Sequence, residues 1–286
     1  MSVQLVNAYW TSAGPVEVHF GREWSLYDFA ERCAQAAEAG FAGLGLWHAD
    51  VEHQLEQHSL DDMRRALDDN GLRCHELEFL GDWFLDENDE ARKAADERRR
   101  MLFEAAAALD AHHIKAGNIG GPACDVPRLQ ETYAELVADA AEHCSAKVLY
   151  EFMPFDVNVN SIETALEVID GVDNTGVVID TWHMSKLGIK PDDLRKIPLD
   201  RLGWVELSDG QYENMEDTLD EVINRRKLPG EGEFDIRGYV EVCRDMGYAE
   251  PWGVEVLSED LRALPLDQMY RRSYASAAAQ FEPVAA

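Results

Sequence analysis

Along the chain, apolar residues form short, nearly unbroken runs. Between these runs lie longer stretches in which apolar residues recur every three or four positions. The short runs predict strands covered on both faces, because a strand with one wet face would alternate strictly. The longer stretches predict amphipathic helices. Residues 3–10 predict a first strand. Ser25, with Asp28 three residues on, predicts the cap of a helix with Leu26, Phe29, Ala30, Cys33 and Ala37 on its apolar face and Gly40 at its end. Residues 41–48 predict a second strand. Ser59 and Asp62 repeat the cap, Leu60, Met63 and Leu67 give the stripe, and Asn70-Gly71 the stop.

The same cassette continues. Strands are expected at residues 72–80, 112–118, 147–154, 176–184, 203–209 and 252–257. Helices are expected at 90–109, 129–144, 161–170, 191–196, 235–246 and 267–280. The longest interruption is 210–234. About eight strand–helix units without a dividing linker predict a single (β/α)8 TIM barrel over residues 1–286. A doubly wound sheet is the alternative, but the first strand–helix turn has no GxGxxG, and a helix follows the eighth strand.

Four of these strands end in a lone acid: Glu151 in KVLYEFMP, Asp180 in GVVIDTWHM, Glu206 in GWVELSD and Glu255 in WGVEVL. The C-terminal strand ends of a barrel converge on one site, so these acids are expected to meet. The two-residue period adds that Leu149 points inward with Glu151, while Tyr150 and Phe152 face the helices. A buried ionised carboxylate costs several kcal/mol unless it is paired or ligates a metal. Four oxygen donors favour Mn²⁺ or Mg²⁺ over zinc.

Composition narrows the partners. The formal net charge of -30 opposes nucleic acid and anionic membranes. Five cysteines without CxxC or CxH spacing indicate neither a disulfide framework nor a zinc knuckle. No apolar run approaches the roughly 18 residues that span a bilayer. A cytoplasmic protein is expected, with self-association left open.

At the acidic strand ends the chain resembles the sugar phosphate isomerase/epimerase superfamily, the xylose-isomerase-like barrels that include ketose 3-epimerases, inosose isomerases and dehydratases, and dehydroshikimate dehydratases. The resemblance rests on YEFMP, DTWH, VELSD, VEV and the loop RKLPGEGEFD from Arg226 to Asp235. It implies Glu151, Asp180, Glu206 and Glu255 as metal ligands, Glu151 and Glu255 as paired catalytic bases, His183 beside the reacting oxygen, and Arg226 holding substrate. It also implies a divalent-metal-dependent isomerase or epimerase of a small polyhydroxyl substrate, a sugar, keto-sugar, cyclitol or sugar phosphate, with a dehydratase or other lyase as the neighbouring reading. The family usually has His, sometimes Gln, where this chain has Glu206. That departure keeps a non-enzymatic ligand-binding barrel in view and makes Glu206 the expected weakest ligand: protonated, neutralised by Lys115 or Arg226, or turned away.

His48, Glu78 and Lys115 fall near the ends of strands two to four and are expected to reach substrate. Asp209 is expected to orient a ligand. Trp47, Trp83 and Trp182 are candidates for stacking on a sugar face. His112 and His113 are expected to be structural.

Overall fold

The computed structural model describes residues 3–283. Eight parallel strands close on themselves in chain order: β1 (Leu5–Asn7), β2 (Gly43–Trp47), β3 (Arg73–Leu80), β4 (His113–Gly117), β5 (Lys147–Glu151), β6 (Thr175–Asp180), β7 (Leu202–Leu207) and β8 (Trp252–Val254). The last pairs with the first, Leu5, Val6 and Asn7 lying opposite Trp252, Gly253 and Val254. The fold is the (β/α)8 barrel that the alternating pattern predicts.

Closure separates two apolar layers. Outside the strands, one continuous core packs them against the helices; Tyr150 of β5 meets Tyr133 of helix Val126–His143 at 5.4 Å between ring centroids. Inside lies a small plug of Val6, Leu149, Val178 and Trp204. Leu149 thus points in while Tyr150 and Phe152 point out, as the period of a strand requires.

Most helix starts follow the sequence signals. Ser59 and Asp62 form a capping box, and Asp89, Asp125 and Ser161 each accept a first-turn backbone N–H. Gly40 and Gly247 end their helices at φ values of 105° and 97°, where a side chain would be strained. The second helix, Phe29–Ala39, departs from expectation. Its cap is Asp28, which accepts from Glu31 N, and Leu26 lies outside it, largely exposed. Ser25 is drawn elsewhere: its N–H donates to Asp50 Oδ1 at 3.0 Å, and Asp50 also binds buried Arg32 at 2.6 Å. The first strand also stops at Asn7, because Tyr9–Ser12 turns into a short helix. The sixth strand stops at Asp180, and Thr181–Lys186 is helical. The interruption before β8 carries a helix of its own, Thr218–Asn224. Among the described residues, no helix is long and apolar enough to cross a membrane.

Toward the N-terminal strand ends, His75, His112 and His113 surround Trp204 at centroid distances of 6.0, 5.8 and 4.8 Å. Burial lowers His75 to about 4 and His112 to about 3, and does the same to His48 at the other end of the barrel, to about 3. In the unfolded chain each would titrate near 6.5. Between those values the unfolded state binds more protons, so stability is full above about pH 6.5 and declines as pH falls toward 4. Urea midpoints are therefore expected to fall from pH 7 to pH 5, and less steeply in His75→Gln. A His75→Gln profile parallel to that of the native chain would contradict neutral burial of this ring.

Candidate metal centre and active site

The barrel delivers its acids by strand register. Asp180 lies opposite Glu206 at the ends of β6 and β7, Glu151 ends β5, and Glu255 follows β8 by one residue. Asp180 is fixed twice: its Oδ1 accepts Trp182 N–H at 2.8 Å as the cap of helix Thr181–Lys186, which leaves Oδ2 aimed inward. Glu206 needs room, and Gly253 provides it. A Cβ at residue 253 would lie 2.7 Å from Glu206 Cγ and 2.9 Å from Trp204 Nε1. One oxygen from each of Glu151, Asp180, Glu206 and Glu255 lies within 4.8 Å of the others. Glu151, Asp180 and His183 form a second such group, His183 Nε2 lying 3.5 Å from both carboxylates.

Lys115 sits among these acids rather than on the substrate side. Fully buried, its Nζ is 2.9 Å from Glu255, 3.1 Å from Glu206, 3.3 Å from Glu78, 3.5 Å from Glu76 and 3.7 Å from Glu151. The side chain binds carboxylates, Glu206 among them, as expected of a cation that offsets the excess acid. Glu76 was not singled out from the sequence. Its signal was available, since Glu76 and Glu78 share one face of β3 by the two-residue period.

Arg226 is the inward arginine of its pair. Its Nη1 donates to Asp180 Oδ2 at 2.6 Å and to Glu255 Oε2 at 3.2 Å, and its guanidinium lies 4.9 Å from the Trp182 ring centroid. Arg225 instead faces solvent and pairs with Asp220 and Glu259. The Asp209–Lys227 backbone bridge sets the position of Arg226. Asp209 does not orient a metal ligand. Its carboxylate accepts backbone N–H groups from Gly230, Gly232 and Phe234 at 2.9–3.0 Å, pinning the loop that follows Arg226. His48 begins helix His48–Leu55 and is not among the residues lining the cavity, whereas its neighbour Trp47 is. Trp83 packs in the outer core against Tyr133 and Tyr150.

Charge decides what this cluster can hold. Six carboxylates, Glu76, Glu78, Glu151, Asp180, Glu206 and Glu255, face two cations, Lys115 and Arg226, leaving four negative charges if all ionise. Burial, reinforced by neighbouring Glu76, pushes Glu206 well above its ordinary range despite Lys115. Burial also raises Glu78 well above its range, outweighing Lys115. Against burial, Lys115 and His113 hold Glu76 below the usual carboxylate range. Both shifts oppose full ionisation of the cluster, and the negative excess beyond the two cations favours a bound cation. The four oxygen donors could hold a divalent cation.

Above the acids opens a cavity of about 330 Å³. Glu78, Glu151, His183, Arg226 and Glu255 reach it, and Trp10, Trp47, Phe79, Met153, Phe155 and Leu257 supply apolar wall. Of the residues expected to touch substrate, Glu78 and Arg226 line the cavity; His48 and Lys115 do not.

Residues 33–279 match the sequence model of the xylose isomerase-like TIM barrels. The chain belongs to that family. Within it, a 3-dehydroshikimate dehydratase of Pseudomonas aeruginosa is 25% identical over 238 residues, which make up 82% of this chain. The chain spans only 37% of that relative's length. An inosose isomerase of Halalkalibacterium halodurans is 23% identical over 223 residues, 75% of this chain and 77% of that protein. A solved IolI protein with a bound zinc atom shares the fold, with a TM-score of 0.80 over 97% of each chain at 18% identity. This xylose isomerase-like barrel thus has enzymes among its relatives, and those relatives divide between isomerisation and dehydration.

Proposed function

We propose that the chain is a divalent-metal-dependent isomerase or epimerase of a small polyhydroxyl ketone, removing a proton beside a carbonyl and returning one. The observation that supports this most is that Glu151 and Glu255 both reach the cavity while also offering oxygens to the four-carboxylate group. Glu151, Asp180, Glu206 and Glu255 would hold the ion, for which Mn²⁺ and Mg²⁺ suit the all-oxygen set. When bound, it would polarise the carbonyl and stabilise the developing negative charge.

The remaining work belongs to the chain. Glu151 and Glu255 enter from β5 and from beyond β8, so one can take the proton and the other return it on a different side of the substrate. His183, 3.5 Å from Glu151 and Asp180, is placed to hydrogen-bond the reacting hydroxyl or carbonyl. Arg226 keeps Asp180 and Glu255 oriented and presents its edge to the cavity. The apolar walls limit water around the deprotonated substrate.

Dehydration is the second reading, supported by the Pseudomonas relative and by Glu78. This carboxyl group lines the cavity, and burial favours its protonated form, the form an acid for a departing hydroxyl needs. Both readings begin with the same proton removal. Keto-sugars and inososes incubated with metal-loaded protein in deuterated water are expected to gain deuterium at the carbon beside the carbonyl. A product retaining all its oxygens marks isomerisation, and an unsaturated product marks dehydration. Exchange that persists unchanged in a Glu151→Gln/Glu255→Gln double variant would contradict both.

A further inference from the structure

The cavity gathers its carboxylates at the strand ends, while the rest of its wall is mostly apolar, with His19 and Thr218 as polar members. Glu78, Glu151, His183 and Glu255 belong to strand ends and the segments just after them, and Arg226 follows helix Thr218–Asn224. Beside them Trp10, Trp47, Phe79, Met153, Ile223 and Leu257 form an apolar cluster distinct from the core under the helices. The cluster is drawn from the ends of β2 and β3, the segments after β1, β5 and β8, and helix Thr218–Asn224. Helix Thr218–Asn224 is tied down by Lys186, which pairs with Glu221. At the rim, exposed Ile119 and Leu219 extend the apolar surface outward.

Such a wall suits few of a bare polyol's groups. Trp47 has spent its indole N–H on Glu23 Oε2 at 3.0 Å, so only its ring is left to the cavity. Hydroxyls pressed against Phe79, Met153 and Leu257 would lose water without gaining partners. A phosphate is no better served. Among the described residues, Arg226 is the only lysine or arginine lining the cavity, and it is engaged by Asp180 and Glu255.

We propose that the substrate is an unphosphorylated keto-sugar or cyclitol ketone carrying an aryl or similarly flat apolar substituent. Its carbonyl would face the carboxylates and its apolar group would lie against Trp47, Phe79 and Leu257. Flat rings match the aromatic faces and the thioether of Met153 that make up this wall. The inference rests on the reading of the site as a proton-transfer centre for polyhydroxyl ketones.

The test compares the phenyl and methyl glycosides of one hexopyranose oxidised to a ketone at a ring carbon other than the anomeric one, titrated calorimetrically into metal-loaded protein, with deuterium exchange followed in parallel samples. The phenyl compound is expected to bind at least about tenfold more tightly, about 1.4 kcal/mol by RT ln 10. Met153→Gln is expected to narrow that ratio, and so is Ile119→Ser/Leu219→Ser, which alters only exposed positions and so preserves the fold. Equal affinity of the two glycosides, or a ratio unchanged in both variants, would overturn the proposal. Exchange of both glycosides at equal affinity would overturn the apolar subsite and leave the reaction standing. A phenyl preference without exchange of either would support the subsite and remove the reaction.

Discussion

Glu151→Gln and Glu255→Gln are each expected to lower turnover by about 10²- to 10⁴-fold, the usual contribution of a positioned acid or base. Both side chains reach the cavity, and both also offer oxygens to the four-carboxylate group. A glutamine keeps the shape and one oxygen but cannot accept a proton at neutral pH. Glu255 contacts both buried cations, so Glu255→Gln also leaves Lys115 and Arg226 with less compensation. Steady-state rates with metal-loaded variants check the pair, and circular dichroism confirms that each is folded. Near-native rates in both would remove their assignment as bases.

Lys115→Met is expected to have the largest effect on stability, about 3–5 kcal/mol, the cost of removing one partner from a buried charge cluster. The ammonium is the shared partner of Glu76, Glu78, Glu151, Glu206 and Glu255, and water does not reach it. Methionine fills the volume but leaves those acids facing one another. Adding Glu206→Gln removes one of them and is expected to restore part of the loss, a coupling that independent sites would not show. Urea denaturation of the metal-free single and double variants reads both quantities. A Lys115→Met chain within about 1 kcal/mol of the native one would contradict this role for the ammonium.

The architecture was legible because eight buried strands and the helices between them differ in period, and because a cap such as Ser59 stands where a helix starts. The four converging acids were legible for a related reason: each interrupts an apolar run at the end of a strand. Errors arose where a local signal had a competitor. Ser25 looks like a cap, but buried Asp50 claims its N–H and Asp28 caps instead. Asp209 looks like a neighbour of Glu206, yet three backbone N–H groups of the following loop take its carboxylate. Lys115 and His48 were placed near the mouth by strand position alone. A lysine's direction depends on what charge lies within reach, and five carboxylates draw Lys115 to the axis. Glu76 was missed because its strand holds two acids and the one nearer the mouth attracted the reading. The apolar wall of Trp10, Phe79, Met153 and Leu257 could not be separated from ordinary core by pattern, since only tertiary structure shows which apolar residues face a cavity.

The account turns on whether the carboxylates at the strand ends bind a divalent cation. Calorimetric titration of Mn²⁺ into chelator-stripped protein tests this most directly, run on the native chain, Asp180→Asn and Glu206→His. The native chain is expected to take up one ion. Glu206→His is expected to bind as tightly or more so, because it replaces a carboxylate that burial makes costly to ionise with a neutral nitrogen donor. Asp180→Asn is expected to bind much more weakly, because it removes a charged oxygen from the donor set. No uptake by the stripped native protein, or undiminished uptake by Asp180→Asn with none by Glu206→His, would contradict the account.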